Sequence, residues 1–252
     1  MEDSATRDAV CAEVATLSQA GVRIVVVHGG GKEISRMMER VGLTPTFSSG
    51  LRVTDAAGMA VTEMVLTGSV NSDLASRITR HGARAVGISG RDAHLLTARK
   101  LLGKNGEDLG LTGEVEQTDL TSVRVLLEAS LVPVISPVGE SVEGVALNLN
   151  ADYAAAAIAG ALGVDVCVFL TDVPGVKKAG EVLPRLSINQ IEQLIADGTI
   201  SGGMIPKVEC VVQALEAGCN RAVICDAARP GVIVDALIGA TDVGTVVSQG
   251  ET

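Results

Sequence analysis

Aromatic residues are nearly missing from this sequence: two Phe, one Tyr and no Trp among 252 residues. The core must therefore be aliphatic, and platforms for stacking nucleic-acid bases are not expected. Basic runs are missing as well. Lys and Arg number 20 against 30 Asp and Glu, a net charge of −10, which argues against nucleic acid and anionic membrane as main partners. No apolar run reaches the roughly 18 residues of a membrane span, and no signal peptide is apparent, so a cytoplasmic location is expected. The five cysteines (Cys11, Cys167, Cys210, Cys219, Cys225) form no C-x-x-C and are odd in number. They read as buried free thiols in a reducing compartment rather than disulfides or zinc ligands, and no metal-binding residues are proposed. Two nucleotide signatures are also lacking: neither G-x-x-x-x-G-K-[ST] nor G-x-G-x-x-G occurs at the glycine-rich turns.

What is present is aliphatic and periodic. Hydrophobic residues make up 47% of the chain, enough for one large core or two lobes sharing a sheet. Apolar β-branched runs at 22–27, 84–89, 132–135, 166–170, 221–225 and 244–247 predict strands. Helical spacing predicts helices over 4–19, 33–41, 56–66, 71–80, 120–129, 151–162, 188–195, 208–217 and 232–237. Segments 94–99 and 113–117 are placed to pair as a hairpin across the Gly-rich 103–110. Alternation of strand and helix implies an α/β fold with a mostly parallel sheet covered on both faces, its ligands bound beyond the strands' carboxyl ends. No internal repeat or linker divides the chain.

The most informative stretch is Val22–Lys32, where a β-branched run enters His28-Gly29-Gly30-Gly31 and leaves into a helix. Unpaired N–H groups and the helix dipole favour an anion there, while glycines permit close approach and positive φ. A turn that merely needs small residues fits equally well. Arg52, in Ser49-Gly50-Leu51-Arg52-Val53-Thr54-Asp55, lies in an irregular stretch and can fork onto a carboxylate; taken alone, a solvated surface arginine is the favoured reading. In Asn148-Leu149-Asn150-Ala151-Asp152, Asn150 suits an N-cap and Asp152 suits a first helical turn. Asn148 is left over, on the same side of an extended segment. Ser201-Gly202-Gly203-Met204-Ile205-Pro206-Lys207 marks another helix start. A lysine in a first turn opposes the dipole, so Lys207 calls for an anionic partner, with phosphate the natural candidate. Thr171-Asp172-Val173-Pro174-Gly175-Val176 is a Pro-Gly turn at a strand's end, where a nucleotide can sit.

Taken together and in this order, VVVHGGGKEI, GLRVTD, AVGISGRD, DLGLTGEVE, PVISPVG, NLNAD, LTDVPGV, TISGGMIPKVE and DVGTVV resemble the amino acid kinase family over nearly the whole chain. Within it the likeness is close to members that phosphorylate N-acetyl-L-glutamate. The resemblance implies a three-layer αβα sandwich in a single domain, with 1–150 as the N-acetylglutamate lobe and 151–252 as the ATP lobe. It further implies ATP- and Mg2+-dependent phosphorylation of a γ-carboxylate in arginine biosynthesis. By matching motif, Gly30 and Gly31 would cradle substrate and transferring phosphoryl, Arg52 would clamp the α-carboxylate, and Asn148 would contact the acetylated amino acid. Asp152 would organise the catalytic Lys207. Thr171, Asp172, Gly175 and Val176, with Gly203 and Lys207, would hold the nucleotide. His28 is expected to orient the glycine loop rather than act as acid or base. The family also implies a homodimer or hexamer, with arginine and the PII signalling protein as candidate regulators. Asp242-Val243-Gly244-Thr245 resembles an arginine-binding end, or is simply a turn before a last strand. Rival readings are a kinase for aspartate or a carrier-bound aminoadipate derivative, and a catalytically impaired sensor of arginine or acetylglutamate.

One departure stands out. Members of the family open with a strand, a lysine and a Gly-Gly run that precede anything in this sequence, and Met1-Glu2-Asp3 aligns with that run's end. The expectation drawn from this is a start lying upstream of Met1, and weak activity and stability for the 252 residues alone.

Overall fold

The computed structural model describes residues 3–240 and 242–250. The chain divides into two compact units: Ser18–Ala154, and residues up to Leu17 together with Ala155 onward. Helix Ser4–Gln19 and helix Ala151–Leu162 each run across a division point.

In the unit 18–154 a parallel three-stranded sheet has strand Val132–Ser136 at its centre, flanked by Val26–Val27 and Ala85–Ser89. All five residues of the central strand are buried, as a strand covered on both faces requires. The run at 22–27 is less than expected. Only Val26 and Val27 pair, with Val134 and Ile135, and both are half-buried. They form a sheet edge with a ladder on one side, so their β-branched composition is not matched by full burial.

The hairpin across 103–110 is present and longer than its apolar core suggested, Leu96–Leu102 with Asp108–Thr118. It is also part of something larger. Val138–Glu140 and Ala146–Leu149 close it into a four-stranded barrel through parallel bridges Thr97 to Glu140 and Thr112 to Asn148. The helix expected over 56–66 changes character midway. Ala56–Glu63 is α-helical, capped by Asp55 through its Oδ1 to the Gly58 N–H at 2.7 Å, and Met64–Val70 is a π-helix leading into Asn71–Arg80.

In the other unit the sheet order is Val166–Thr171, Arg221–Asp226, Thr245–Ser248, Arg185–Ser187, with only the Arg221–Asp226 and Thr245–Ser248 pair antiparallel. Helix Ile188–Ala196 starts with a reciprocal Ser187–Gln190 capping box. Glu13 accepts from the N–H groups of Gly231 and Ile233 at 2.7 and 2.9 Å, filling the N-terminus of helix Val232–Ile238. All five cysteines are buried thiols outside any disulfide. The architecture is α/β of the αβα class, and no described helix is long and apolar enough to cross a membrane.

Candidate functional site

The glycine loop ends in helix Gly31–Arg40, whose N-terminus receives no side-chain cap. A helix N-terminus of this kind favours an anion through its dipole. The reason for the glycines differs from expectation: none of Gly29, Gly30 and Gly31 has a φ in the left-handed region. What Gly30 gives is clearance. A Cβ on Gly30 would lie 2.8 Å from Leu66 Cδ2 and 3.4 Å from Val70 Cγ2, both on the π-helix, and one on Gly29 would touch Ala151 Cβ at 3.6 Å. The loop is clamped between the π-helix and the start of helix Ala151–Leu162.

Arg52 is in regular structure, not an irregular stretch. Thr46–Ser48 and Leu51–Val53 form an antiparallel hairpin turned at Ser49 and Gly50, which take φ of 50° and 83°. Two left-handed residues in succession match the twist of the strands, and Gly50 takes the larger angle at no steric cost. Arg52 pairs across the hairpin with Phe47, and its guanidinium carbon sits 4.7 Å from that ring's centroid. Its remaining partners are neutral: Gly31 O and Ser35 Oγ at 2.8 Å each, and Met38 Sδ at 3.3 Å. Arg52 is only 6% exposed, and burial lowers its pKa, yet an arginine stays charged and no described carboxylate pairs with it. A buried cation without a counter-ion gains from any anion that reaches it.

Asn148 is tied to the same arginine through hydroxyls. Its Nδ2 donates to Thr54 Oγ1 at 3.2 Å, Thr54 and Thr112 hydroxyls meet at 2.9 Å, and Thr112 donates to the Arg52 carbonyl. Thr54 and Thr112 are fully buried or nearly so, and both come from motifs noted in the sequence without a role for the hydroxyls. Their signal was weak because threonine in a strand usually reports β-propensity alone. Asn150 caps helix Ala151–Leu162 as expected, accepting from the N–H groups of Asp152 and Tyr153 at 2.8 and 3.3 Å. Asp152 is half-buried in the first turn. Gly30, Gly31, Arg52 and Asn148 all lie in one unit, where the Arg52 guanidinium is bonded to Gly31 O and Asn148 is linked to the Arg52 carbonyl through the two threonines.

Nucleotide candidates occupy the other unit. Thr171 ends its strand, donating to Val173 O at 2.8 Å and accepting from Val173 N at 3.0 Å. Asp172 is exposed, whereas Val176 is 1% exposed and gives its N–H to Thr245 Oγ1 at 2.8 Å. Gly175 has φ of 146°, and a Cβ there would meet Thr245 Oγ1 at 2.7 Å, so the turn is locked onto the last strand. Gly203 precedes helix Met204–Glu216, which has neither a side-chain cap nor an acidic residue in its first turn. Lys207 is half-buried in that turn. An uncapped helix start bearing a cation is an arrangement suited to phosphate oxygens.

Comparison with known proteins agrees with the motifs. The amino acid kinase family model matches residues 1–226. The acetylglutamate kinase of Acidiphilium cryptum is 46% identical over 245 residues, 93% of this chain and 82% of that protein. That of Bradyrhizobium diazoefficiens is 43% identical over 259 residues, 99% of this chain and 88% of that protein. Among solved structures, N-acetylglutamate synthase from Neisseria gonorrhoeae, complexed with coenzyme A and N-acetyl-glutamate, matches with a TM-score of 0.86 at 27% identity. That match covers 99% of this chain and 57% of the synthase.

Proposed function

The chain belongs to the amino acid kinase family, and we propose that it phosphorylates the γ-carboxylate of N-acetyl-L-glutamate with ATP in arginine biosynthesis. The observation that carries the reading is Arg52, buried with no described carboxylate beside it and bonded to the glycine loop. It supports a carboxylate ligand whose α-acid is held by Arg52 while the acetylated nitrogen is contacted by Asn148. The unit 18–154 is then the amino-acid side, and the residues from 155 onward, with Lys207, the nucleotide side.

A carboxylate nucleophile simplifies the chemistry. With a free pKa of about 4.3 it is ionised at neutral pH and needs no general base. Rate then comes from alignment and from cancelling charge on the phosphoryl oxygens. Gly30 and Gly31 offer N–H groups, and Lys207 offers a positive charge at an uncapped helix start. Asp152 is assigned to orienting that lysine. Thr171, Asp172, Gly175, Val176 and Gly203 are assigned to the nucleotide. Bound ATP supplies the phosphoryl group. Mg2+, bound with the nucleotide, would supply charge neutralisation on the phosphoryl oxygens.

The test is ADP release with a panel of N-acetyl-L-glutamate, L-glutamate, L-aspartate and a carrier-bound aminoadipate derivative, with hydroxylamine trapping of the acyl phosphate. N-acetyl-L-glutamate is expected to give the highest kcat/KM. Preference for aspartate or the carrier-bound acceptor would replace the substrate reading, and binding without ADP release would favour a sensor.

A further inference from the structure

Asn71 has no part in the assignments above, yet its environment is among the most constrained in the unit. It is 2% exposed and begins helix Asn71–Arg80, where the π-helix Met64–Val70 ends. Its Nδ2 lies 2.8 Å from Val134 O, 3.3 Å from Ile88 O and 3.1 Å from His28 Nε2. Val134 belongs to the central strand and Ile88 to one neighbour, while His28 directly follows the other. One amide therefore ties together all three strands of the sheet.

We propose that Asn71 is a positioning residue for the glycine loop, acting through the His28 ring. Two of its three neighbours are carbonyls, which only accept, so the amide nitrogen rather than the oxygen must face them; its two protons serve three acceptors, with Ile88 O, the longest contact, sharing one of them. His28 Nε2 then accepts from Asn71, which leaves the ring proton on Nδ1. That proton is donated to Gly29 O at 3.0 Å. The His28 backbone N–H is in turn held by Ile135 O at 3.2 Å. The chain of bonds runs from the sheet through Asn71 and His28 to the peptide just before Gly30.

Two neighbours fit this role. Gly87 leaves the room the amide occupies, since a Cβ there would lie 1.8 Å from Asn71 Oδ1. The π-helix packs Leu66 and Val70 onto Gly30, and joins Thr67 to Ser136 through their hydroxyls at 2.9 Å. Widened turns of this kind often sit at functional sites because they re-aim side chains. Here the segment delivers its contacts to the strand ends and the loop together.

The kinetic consequence rests on the substrate reading above; the bonding does not. The direct measurement is the nitrogen-15 spectrum of the imidazoles, tractable because the chain has three histidines. In the wild-type protein His28 is expected as the Nδ1–H tautomer; a ring protonated at Nε2 instead would overturn the proposal. In Asn71→Ala the ring is expected to lose that single tautomer. With N-acetyl-L-glutamate, Asn71→Ala should lower kcat about 10- to 100-fold, the cost of misplacing reacting groups, and leave the KM for ATP within about twofold. Added to His28→Ala it should cost less than about a further twofold, because residues acting in series are not additive. Independent, multiplicative losses would overturn the proposal, as would wild-type kcat in Asn71→Ala. If the wild-type protein does not phosphorylate N-acetyl-L-glutamate, the substrate reading is what fails, and the His28 tautomer still decides the role of Asn71.

Discussion

Two helices in this molecule start from consecutive glycines, and they are built in opposite ways. Before helix Gly31–Arg40 one glycine is wedged: Gly30 has Leu66 against it, and His28 is bonded on both ring nitrogens. Before helix Met204–Glu216, a methyl group added to Gly202 or Gly203 would have nothing within 4 Å, and Gly202 takes a left-handed φ of 57°. The first is a cradle in which Gly30 is demanded by neighbouring side chains. The second is an open entrance whose glycine at 202 is demanded by backbone angle. The same dipeptide thus answers two different physical requirements. In this account the wedged one faces the amino acid and the open one, carrying Lys207, faces the nucleotide.

The largest expected effect removes the charge that distinguishes the second helix start. Lys207→Ala should lower kcat by about 10²- to 10³-fold, as for loss of one group stabilising transition-state charge. N-acetyl-L-glutamate binding measured by calorimetry should stay within about twofold. Next is the direct contrast between the glycines. Gly30→Ala drives a methyl toward Leu66 and should cost about 1–3 kcal/mol of stability, with a loss in kcat of up to about 100-fold. Gly203→Ala meets no atom and has ordinary helical backbone angles, so its melting temperature should be unchanged. Equal effects at both positions would break the comparison. Smaller still is Thr112→Val, which leaves only the long Thr54 contact between Asn148 and the Arg52 carbonyl and should cost about 0.5–1.5 kcal/mol, read as a raised KM for the acidic substrate. Last, the thiols should resist a disulfide-exchange reagent until the protein unfolds. All five are buried, and burial pushes the Cys225 thiol up to about 12.

Much of this was legible in the sequence because it was local. The helices over 4–19, 71–80 and 151–162 have the predicted bounds, each closed within two residues by a glycine of positive φ (Gly21, Gly82 and Gly163). Arg52 and the glycine loop stood out because a cation and a side-chain-free turn are chemically unusual in their surroundings. Other features were hidden because they depend on distant partners. The barrel closes by pairing Thr112 with Asn148, which no local pattern reports. The π-helix spans Met64–Val70, too short a stretch to separate its wider turn from ordinary helical spacing. Asn71 looked like any first residue of a helix; its importance comes from carbonyls at 88 and 134. The run at 22–27 shows the converse, where composition predicted more strand than the sheet edge uses.

The central claim is that Arg52 is a buried cation awaiting the substrate's carboxylate, and calorimetric titration of N-acetyl-L-glutamate tests it most directly. Lysine keeps the charge but loses the planar fork that reaches Gly31 O, Ser35 Oγ and a carboxylate together. Arg52→Lys is therefore expected to weaken N-acetyl-L-glutamate binding by at least about tenfold, the loss of one charge-assisted contact, with ATP binding unchanged. Equal affinity in Arg52→Lys and the wild-type protein would contradict the account.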